Sequence, residues 1–305
     1  MKAVVCTIYG PPNVLRITEI PKPEPKGNEV LVRIIATAVN SGDVRVRGLA
    51  VKGFLKLVMR FVLGFNKPRN PVLGTVLSGT VEQVGDDVTD FNPGDEVIAS
   101  TAMKFGCYAQ YIAMPENAVI THKPKTASFE ESAAIIFGGM TAIYFLEKAG
   151  ITSKPNQKVL IYGATGSVGC AAVEIAKHHK ASVTAVCGEK GIELTQKLGA
   201  DTILIYTQTD FSKLTDKFDI VFDAVGKITK KQCNNLLEKN GHFITVGALD
   251  VAKETKAQLE QLKQLFDSGE IHACIDRTYT VDDIVEAHHY VDSGRKKGNV
   301  VIKMI

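Results

Sequence analysis

The segment from Val159 to Lys177, VLIYGATGSVGCAAVEIAK, restricts the fold more than any other part of the chain. A short apolar strand ends at Tyr162, glycines follow at positions 163, 166 and 169, and an amphipathic helix begins near Val168. Each glycine has its own physical task. Gly163 allows a sharp turn, Gly166 leaves the backbone open to a ligand, and Gly169 lets the helix pack closely on the strand. The start of the helix offers unpaired N–H groups and a partial positive charge, which suit a diphosphate. Gly163, Ala164, Thr165, Gly166, Ser167, Val168 and Gly169 therefore form the predicted pyrophosphate cradle of a dinucleotide. A purely structural turn is the alternative, and a second strand at the right distance weighs against it.

Strands and helices alternate after this turn. Ser182–Cys187, Thr202–Ile205, Ile220–Ala224 and His242–Val246 read as strands, separated by helical patterns at Ile192–Leu198 and Lys230–Leu237. Such alternation means crossover units and a parallel sheet. A helical pattern precedes the turn as two runs, SFEESAAIIF and GMTAIYFLEKA, with Ser128 and Glu131 at capping-box spacing.

The first hundred residues differ in kind. Val4–Ile8, Leu15–Glu19, Glu29–Ala38, Gly79–Val84 and Glu96–Ser100 are short β-branched runs between turn formers, and Cys107–Met114 adds another. They predict a compact, strongly bent β domain. A helix at Lys256–Phe266 leads to β-like segments near Thr278–Val281 and Val300–Ile302, with a helix at Asp283–Tyr290 between them. These last segments are expected to rejoin the first domain. The reading is an α/β chain: a β domain over 1–122 and 277–305, and a nucleotide-binding domain over 123–276. At 305 residues the chain is long enough for two cores.

A net charge of +3, with basic residues not gathered into a single run, gives no electrostatic case for nucleic acid. The six cysteines lie at least 17 positions apart, so no disulfide framework or CxxC pair is present. The opening MKAVVCTIYG passes straight into strand-like sequence, and a reducing cytosol is the expected compartment. The most apolar stretch, Phe54–Phe65, is interrupted by Lys56 and Arg60 and is too short to span a bilayer. It reads as a short amphipathic helix with its apolar face on the protein or lining a pocket; a membrane-surface role is the lesser alternative.

The strand after the glycine turn bears on cofactor choice. NAD enzymes commonly place an acidic residue at its end to hold the ribose hydroxyls. Here the end is Val186-Cys187, and Glu189-Lys190 follow. Lys190 would attract a 2′-phosphate. NADPH is favoured over NADH, the alternative being that both charges are solvated turn residues.

With these motifs in hand, the chain resembles the medium-chain dehydrogenase/reductase superfamily, in its zinc-free quinone oxidoreductase and enone reductase branch. The resemblance rests on the opening MKAVVCTIYGPPNVLRITEIPKPEPKGNEVLVRI, then AVNSGDVRVRG, PVLGTVLSGTVEQVG, FNPGDEVIA, FGGMTAIYFLEKAG, the glycine turn, LGAD, FDIVFDAVG and KKGNVVI, in that order. It implies a GroES-like β domain joined to a Rossmann domain. It places Asn40 and Asp43 beside the nicotinamide and Thr141 against the cofactor. It sets Lys190 and Tyr206 at the adenosine 2′-phosphate. It brings Ala224, Val225, Gly226, Val246, Gly247, Ala248 and Asn299 to further cofactor contacts. Each has a plain structural alternative: Asp43 could serve only to cap a turn, and Tyr206 only to pack on the sheet.

The family's first zinc-ligand position is Asn40 here, the first histidine in the chain is His122, and the cysteine-rich lobe is missing. No zinc is expected. The adjacent pairs His178-His179 and His288-His289 read as solvated helix faces whose side chains diverge. Without a Lewis acid, alcohol oxidation is difficult, whereas hydride addition to a conjugated carbonyl needs only positioning, hydrogen bonds and a proton. The implied activity is reduction of a quinone or an α,β-unsaturated carbonyl, on a small apolar substrate. The alternatives are a metal-free alcohol or aldehyde dehydrogenase, and a non-catalytic NADPH-binding protein acting as a redox sensor or on nucleic acid.

Two departures from the family stand out. Where relatives have a Tyr after the Asn-x-x-Asp segment, this chain has Val44-Arg45-Val46-Arg47; Arg45 is the candidate for polarising a carbonyl. After Asp250 some tens of residues are missing, including the outer strand that relatives use to dimerise, so a homodimer built on that strand is in doubt.

Overall fold

Two short strands, β1 (Lys2–Cys6) and β2 (Leu15–Glu19), pair antiparallel at the start of the chain. The eleven-residue β3 (Glu29–Val39) is apolar along most of its length because both of its faces are covered. It runs into α1 (Ser41–Gly48), followed by α2 (Phe54–Leu63), β4 (Val76–Val84), β5 (Glu96–Ser100), β6 (Tyr111–Pro115) and β7 (Ile120–His122). The α3 helix (Phe129–Lys148) follows. The computed structural model describes residues 1–49, 54–247 and 250–304.

A parallel α/β layer comes next: β8 (Lys158–Tyr162), α4 (Ser167–His178), β9 (Ser182–Cys187), α5 (Ile192–Lys197), β10 (Thr202–Ile205), β11 (Phe218–Asp223), α6 (Lys230–Cys233), β12 (Leu237–Thr245) and α7 (Lys256–Asp267). The chain ends with β13 (Ile275–Thr280), α8 (Ile284–Asp292) and β14 (Asn299–Lys303). It divides into two compact units, Met1–Ile136 with Ile275–Ile305 and Phe137–Cys274.

In the first unit the main sheet runs β13-β14-β3-β4-β5-β7, with β6 also paired to β3. β14 lies antiparallel to β3 with Val300 opposite Val39, so the C-terminal segment is a central strand of this sheet. In the second unit the strands run β10-β9-β8-β11-β12, all parallel. The chain starts in the middle at β8, builds outward through β9 and β10, then crosses back to β11. The order therefore reverses between β8 and β11, and ligands of open α/β sheets bind beyond the carboxyl ends of strands at such a point.

Several elements differ from expectation. The two helical runs around 128–149 form one helix, because Gly138 and Gly139 are sites of close packing rather than a break. A Cβ at Gly138 would fall on the backbone of Ser167, and one at Gly139 on the Leu262 side chain. By length and composition α3 could cross a membrane, yet 72% of its apolar window is buried inside the protein. The helix expected to reach Leu237 stops at Cys233, and Leu237 begins β12 instead. The segment expected as a strand from Cys107 joins the sheet only at Tyr111. The helix α1, whose eight residues carry no apolar periodicity, was not apparent.

Alanine at Gly138 should destabilise the protein. Helix propensity favours Ala over Gly by about 1 kcal/mol. Overpacking costs about 1–3 kcal/mol, and the obstacle here is backbone that cannot rotate away. Urea unfolding should show a lower midpoint, and nucleotide affinity should fall with it.

Candidate active site

The glycine turn explains itself locally. Gly163 sits at φ +80, where a side chain is strained, and a Cβ there would also strike Val225. Its N–H and that of Ala164 donate to the Val186 carbonyl, at 3.0 and 3.1 Å, which ties the turn to the end of β9. A Cβ on Gly169 would fall on the Gly163 carbonyl oxygen, so the first turn of α4 lies on the turn that precedes it. Gly166 is different. It has ordinary extended dihedrals, and a Cβ there would find nothing closer than the Gly163 carbonyl oxygen at 3.6 Å. The protein itself has room for a side chain at 166.

The other expected cofactor residues of this unit gather around the same strand ends. A Cβ on Gly191 would strike Thr165, so the loop after β9 touches the glycine turn. Lys190 lies in that loop, exposed and without an ion pair among the described residues. Its neighbour Glu189 accepts from Gln208 Nε2 at 2.7 Å, which draws the carboxylate toward the loop after β10. Tyr206 is half exposed, with its ring against Gly188. Thr141 is buried on α3 and donates its hydroxyl to the Phe137 carbonyl at 2.7 Å. Val168 is buried in α4.

One residue outside the expected set organises the opposite side. Asp223, fully buried at the end of β11, accepts from the N–H groups of Val225, Gly226 and Ile228 and from the Thr245 hydroxyl, at 2.9 to 3.3 Å. It thereby shapes the Ala224–Gly226 loop and joins it to the end of β12. Gly226, at φ +70, and Gly247 touch through their backbones, and Cβ atoms on either would clash. Val246 donates its N–H to the Asp223 carbonyl at 3.1 Å. Ala248 lies outside the described residues. The signal for Asp223 in the sequence was a carboxylate closing an apolar strand, IVFD, where only a saturated acceptor is tolerated.

In the first unit Asn40 and Asp43 form a reciprocal cap. The Asn40 Oδ1 accepts from the Gly42 and Asp43 N–H groups at 2.8 and 3.1 Å, and Asp43 Oδ2 accepts from the Asn40 N–H at 3.1 Å. Asn40 Nδ2 donates to Thr75 Oγ1 at 2.7 Å. Asn299, buried at the start of β14, stands at the level of Asn40 across the sheet. Arg45 is exposed on α1. Its neighbour Arg47 is buried, with Nη2 at 2.6 Å from Asp292 Oδ2 and Nη1 at 3.4 Å from His288 Nδ1.

His288 corrects the reading of the histidine pairs. It is fully buried, its Nε2 has no hydrogen-bond partner among the described residues, and its ring meets the Tyr108 ring edge-on at 5.7 Å. The Tyr108 hydroxyl donates to Asp43 Oδ2 at 3.0 Å. Burial, reinforced by the Arg47 and His289 charges, pushes the His288 imidazole down to about 3. Burial also pushes the Asp43 carboxyl up to about 7, against the pull of hydrogen bonds from Asn40, Tyr108 and Gly74. His289, by contrast, is exposed, so this pair diverges as expected; the other does not, because the His178 and His179 rings meet edge-on at 4.9 Å and His178 pairs with Glu270. Among the described residues no three His, Cys, Asp or Glu side chains come together in a way that could hold a metal ion.

Known proteins share both units. The family profile for the alcohol dehydrogenase GroES-like domain matches residues 26–125, and that for zinc-binding dehydrogenase matches residues 198–302. The 2-methylene-furan-3-one reductase of Solanum lycopersicum is 33% identical, over 100% of this chain and 79% of its own. The NADPH-dependent alkenal/one oxidoreductase, chloroplastic, of Arabidopsis thaliana is 28% identical, over 99% and 79%. The quinone oxidoreductase from Coxiella burnetii superposes with a TM-score of 0.89 at 26% identity, covering 100% of this chain and 99% of that one. The chain belongs to the medium-chain dehydrogenase/reductase superfamily, in its quinone oxidoreductase and enone reductase branch, with the GroES-like and Rossmann folds of that family. As in that family, its cofactor is a nicotinamide dinucleotide.

The two buried titrations oppose each other. Asp43, raised from its ordinary 3.8, holds a proton in the folded state that the unfolded chain has lost, so its contribution to stability falls as pH rises from about 4 to about 7. His288, lowered from 6.5, does the reverse, and its contribution falls as pH drops from about 6.5 to about 3. Asp43→Asn should therefore leave stability rising more steeply with pH between 4 and 6.5 than in the parent. His288→Gln should tilt the profile the other way. The change in slope approaches about 1.4 kcal/mol per pH unit for one proton, and chemical denaturation at a series of pH values measures it.

Proposed function

We propose that the protein is an NADPH-dependent reductase that delivers a hydride to a quinone or to the β carbon of an α,β-unsaturated carbonyl without zinc. The observation that carries the nucleotide reading is Gly166. No contact among the described residues requires a glycine there, so the open backbone serves a ligand, and the ligand faces the amino end of a twelve-residue helix. On this reading the amides of the Gly163–Gly169 turn hold the diphosphate. Lys190 and Tyr206 hold the 2′-phosphate, with Glu189 drawn aside by Gln208. The Ala224–Gly226 loop, Val246, Gly247 and Thr141 complete the cradle in the second unit, and Asn299 is the residue of the first unit assigned to the cofactor.

The bound reduced nicotinamide supplies the hydride, and the chain supplies position and environment. Asn40 and Asp43 fix the start of α1 through their reciprocal cap. Exposed Arg45 is the side chain assigned to the substrate's carbonyl oxygen, where negative charge grows as the β carbon accepts hydride. Water delivers the proton. The residues do not fit a zinc site: the position of the family's first ligand is a carboxamide already bonded to Thr75 and the α1 cap. The six cysteines are thiols, five of them buried, which suits a reducing compartment such as the cytosol. Among the described residues β12 is the last strand of its sheet, and a homodimer built on that edge stays in doubt.

NADPH oxidation should be measured with a panel of quinones, alkenals and alkenones alongside saturated aldehydes and alcohols. Turnover confined to the conjugated substrates supports the proposal. Turnover of saturated substrates, or silence across the panel with nucleotide still bound, defeats it. Lys190→Ala should weaken NADPH binding by about tenfold or more and leave NADH binding nearly unchanged. Equal losses for both nucleotides would remove Lys190 from the 2′-phosphate site.

A further inference from the structure

The helix α2 is apolar on both sides. Met59 and Leu63, one turn apart, face the core of the first unit. Leu57 and Phe61 repeat at the same spacing on the other side, with Val58 and Val62 beside them, and Phe65 follows just beyond the end of the helix; all five are exposed, Phe61 by 58% and Val62 by 56%. The Phe61 and Phe65 rings meet edge-on at 4.9 Å. A surface helix ordinarily turns polar residues to water. A contiguous exposed apolar face is an interaction site. The expected single apolar face, on the protein or lining a pocket, is thus two faces: one lies on the core of the first unit and the other is exposed.

Charge indicates the partner. From Val44 to Val81 the chain has seven basic residues and no acidic one, while the remainder has 29 basic against 33 acidic. Arg47 is buried against Asp292 and Arg45 belongs to the reductase reading, which leaves five, from Lys52 to Arg69, for this surface. Lys67 and Arg69 are exposed immediately beyond the helix. Arg69 donates from Nη2 to the Phe61 carbonyl at 2.6 Å, which anchors a cation at the margin of the apolar face.

We infer that α2 and the loop to Arg69 seat the protein on an anionic lipid surface, with Leu57, Phe61 and Phe65 at the boundary of headgroup and acyl chain and the cations among the lipid phosphates. This surface is separate from the reductase reading and does not depend on it. The outward face of a ten-residue helix is small beside the roughly 800 Å² per partner of a stable protein interface. Two copies meeting there would oppose like-charged margins. Insertion of an interfacial helix requires only apolar depth and attraction to acidic headgroups.

The sequence contains no tryptophan, so Phe61→Trp places a sole reporter on the face. Its emission should shift to the blue, and the protein should sediment, with phosphatidylcholine vesicles containing phosphatidylglycerol. Both effects should weaken with salt. Lys67→Gln in the same background should weaken partition about fivefold. Phe61→Ser with Phe65→Ser in the otherwise native chain should abolish sedimentation while the melting temperature holds. Phe65→Trp serves as a second reporter if the first variant does not fold. Emission unmoved by the acidic vesicles, or equal binding to pure phosphatidylcholine, would overturn the inference. So would emission already blue without lipid in a protein that light scattering shows to be dimeric, because a second copy would then cover the face.

Discussion

The nucleotide-binding unit depends on one close approach, the Gly163 carbonyl oxygen against the backbone of Gly169. A side chain at 169 would fall on that oxygen, while Gly163 is needed for its left-handed turn, and the approach sets the first turn of α4 directly beyond the end of β8. Gly138 extends the same principle to a third element, bringing α3 onto the Ser167 backbone. A rigid contact of backbone on backbone fixes where the helix amides point. The anion site is therefore a property of packing first and of chemistry second.

Much of this was legible in the sequence because the signals are local. A strand, three glycines and a helix occupy nineteen consecutive residues, and alternation of strand and helix implies the parallel sheet. What escaped was non-local. Asp223 looks like any strand-terminal carboxylate until the loops from β11 and β12 fold over it. His288 sits in a helix beside another histidine, and only the arrival of Arg47 and Tyr108 from distant parts of the chain buries it. The same holds for α1, which forms because Asn40 and Asp43 cap each other at the end of a buried strand, not because its own pattern is helical.

The network around Asp43 shows how the β unit tolerates polar groups in its interior. Asp43, Tyr108, His288, Arg47 and Asp292 come from α1, the segment before β6 and α8, and each polar contact spans a junction between elements. Isolated buried charges are costly, and here the arginine reaches a carboxylate while the imidazole remains neutral. The returning C-terminal helix is thus held to the first helix by specific contacts as well as by apolar packing.

The two sides of β8 are held by independent sets of bonds. Glu189 and Gln208 join the loops after β9 and β10, whereas Asp223 and Thr245 join those after β11 and β12, and no residue belongs to both sets. If the nucleotide lies as proposed, its adenosine end and its reactive ring rest on separately fastened halves of the sheet. Exchanging one coenzyme for the other then becomes a problem confined to a few positions around 189–208. Evolution or design can alter that choice while the hydride-donating geometry stays intact.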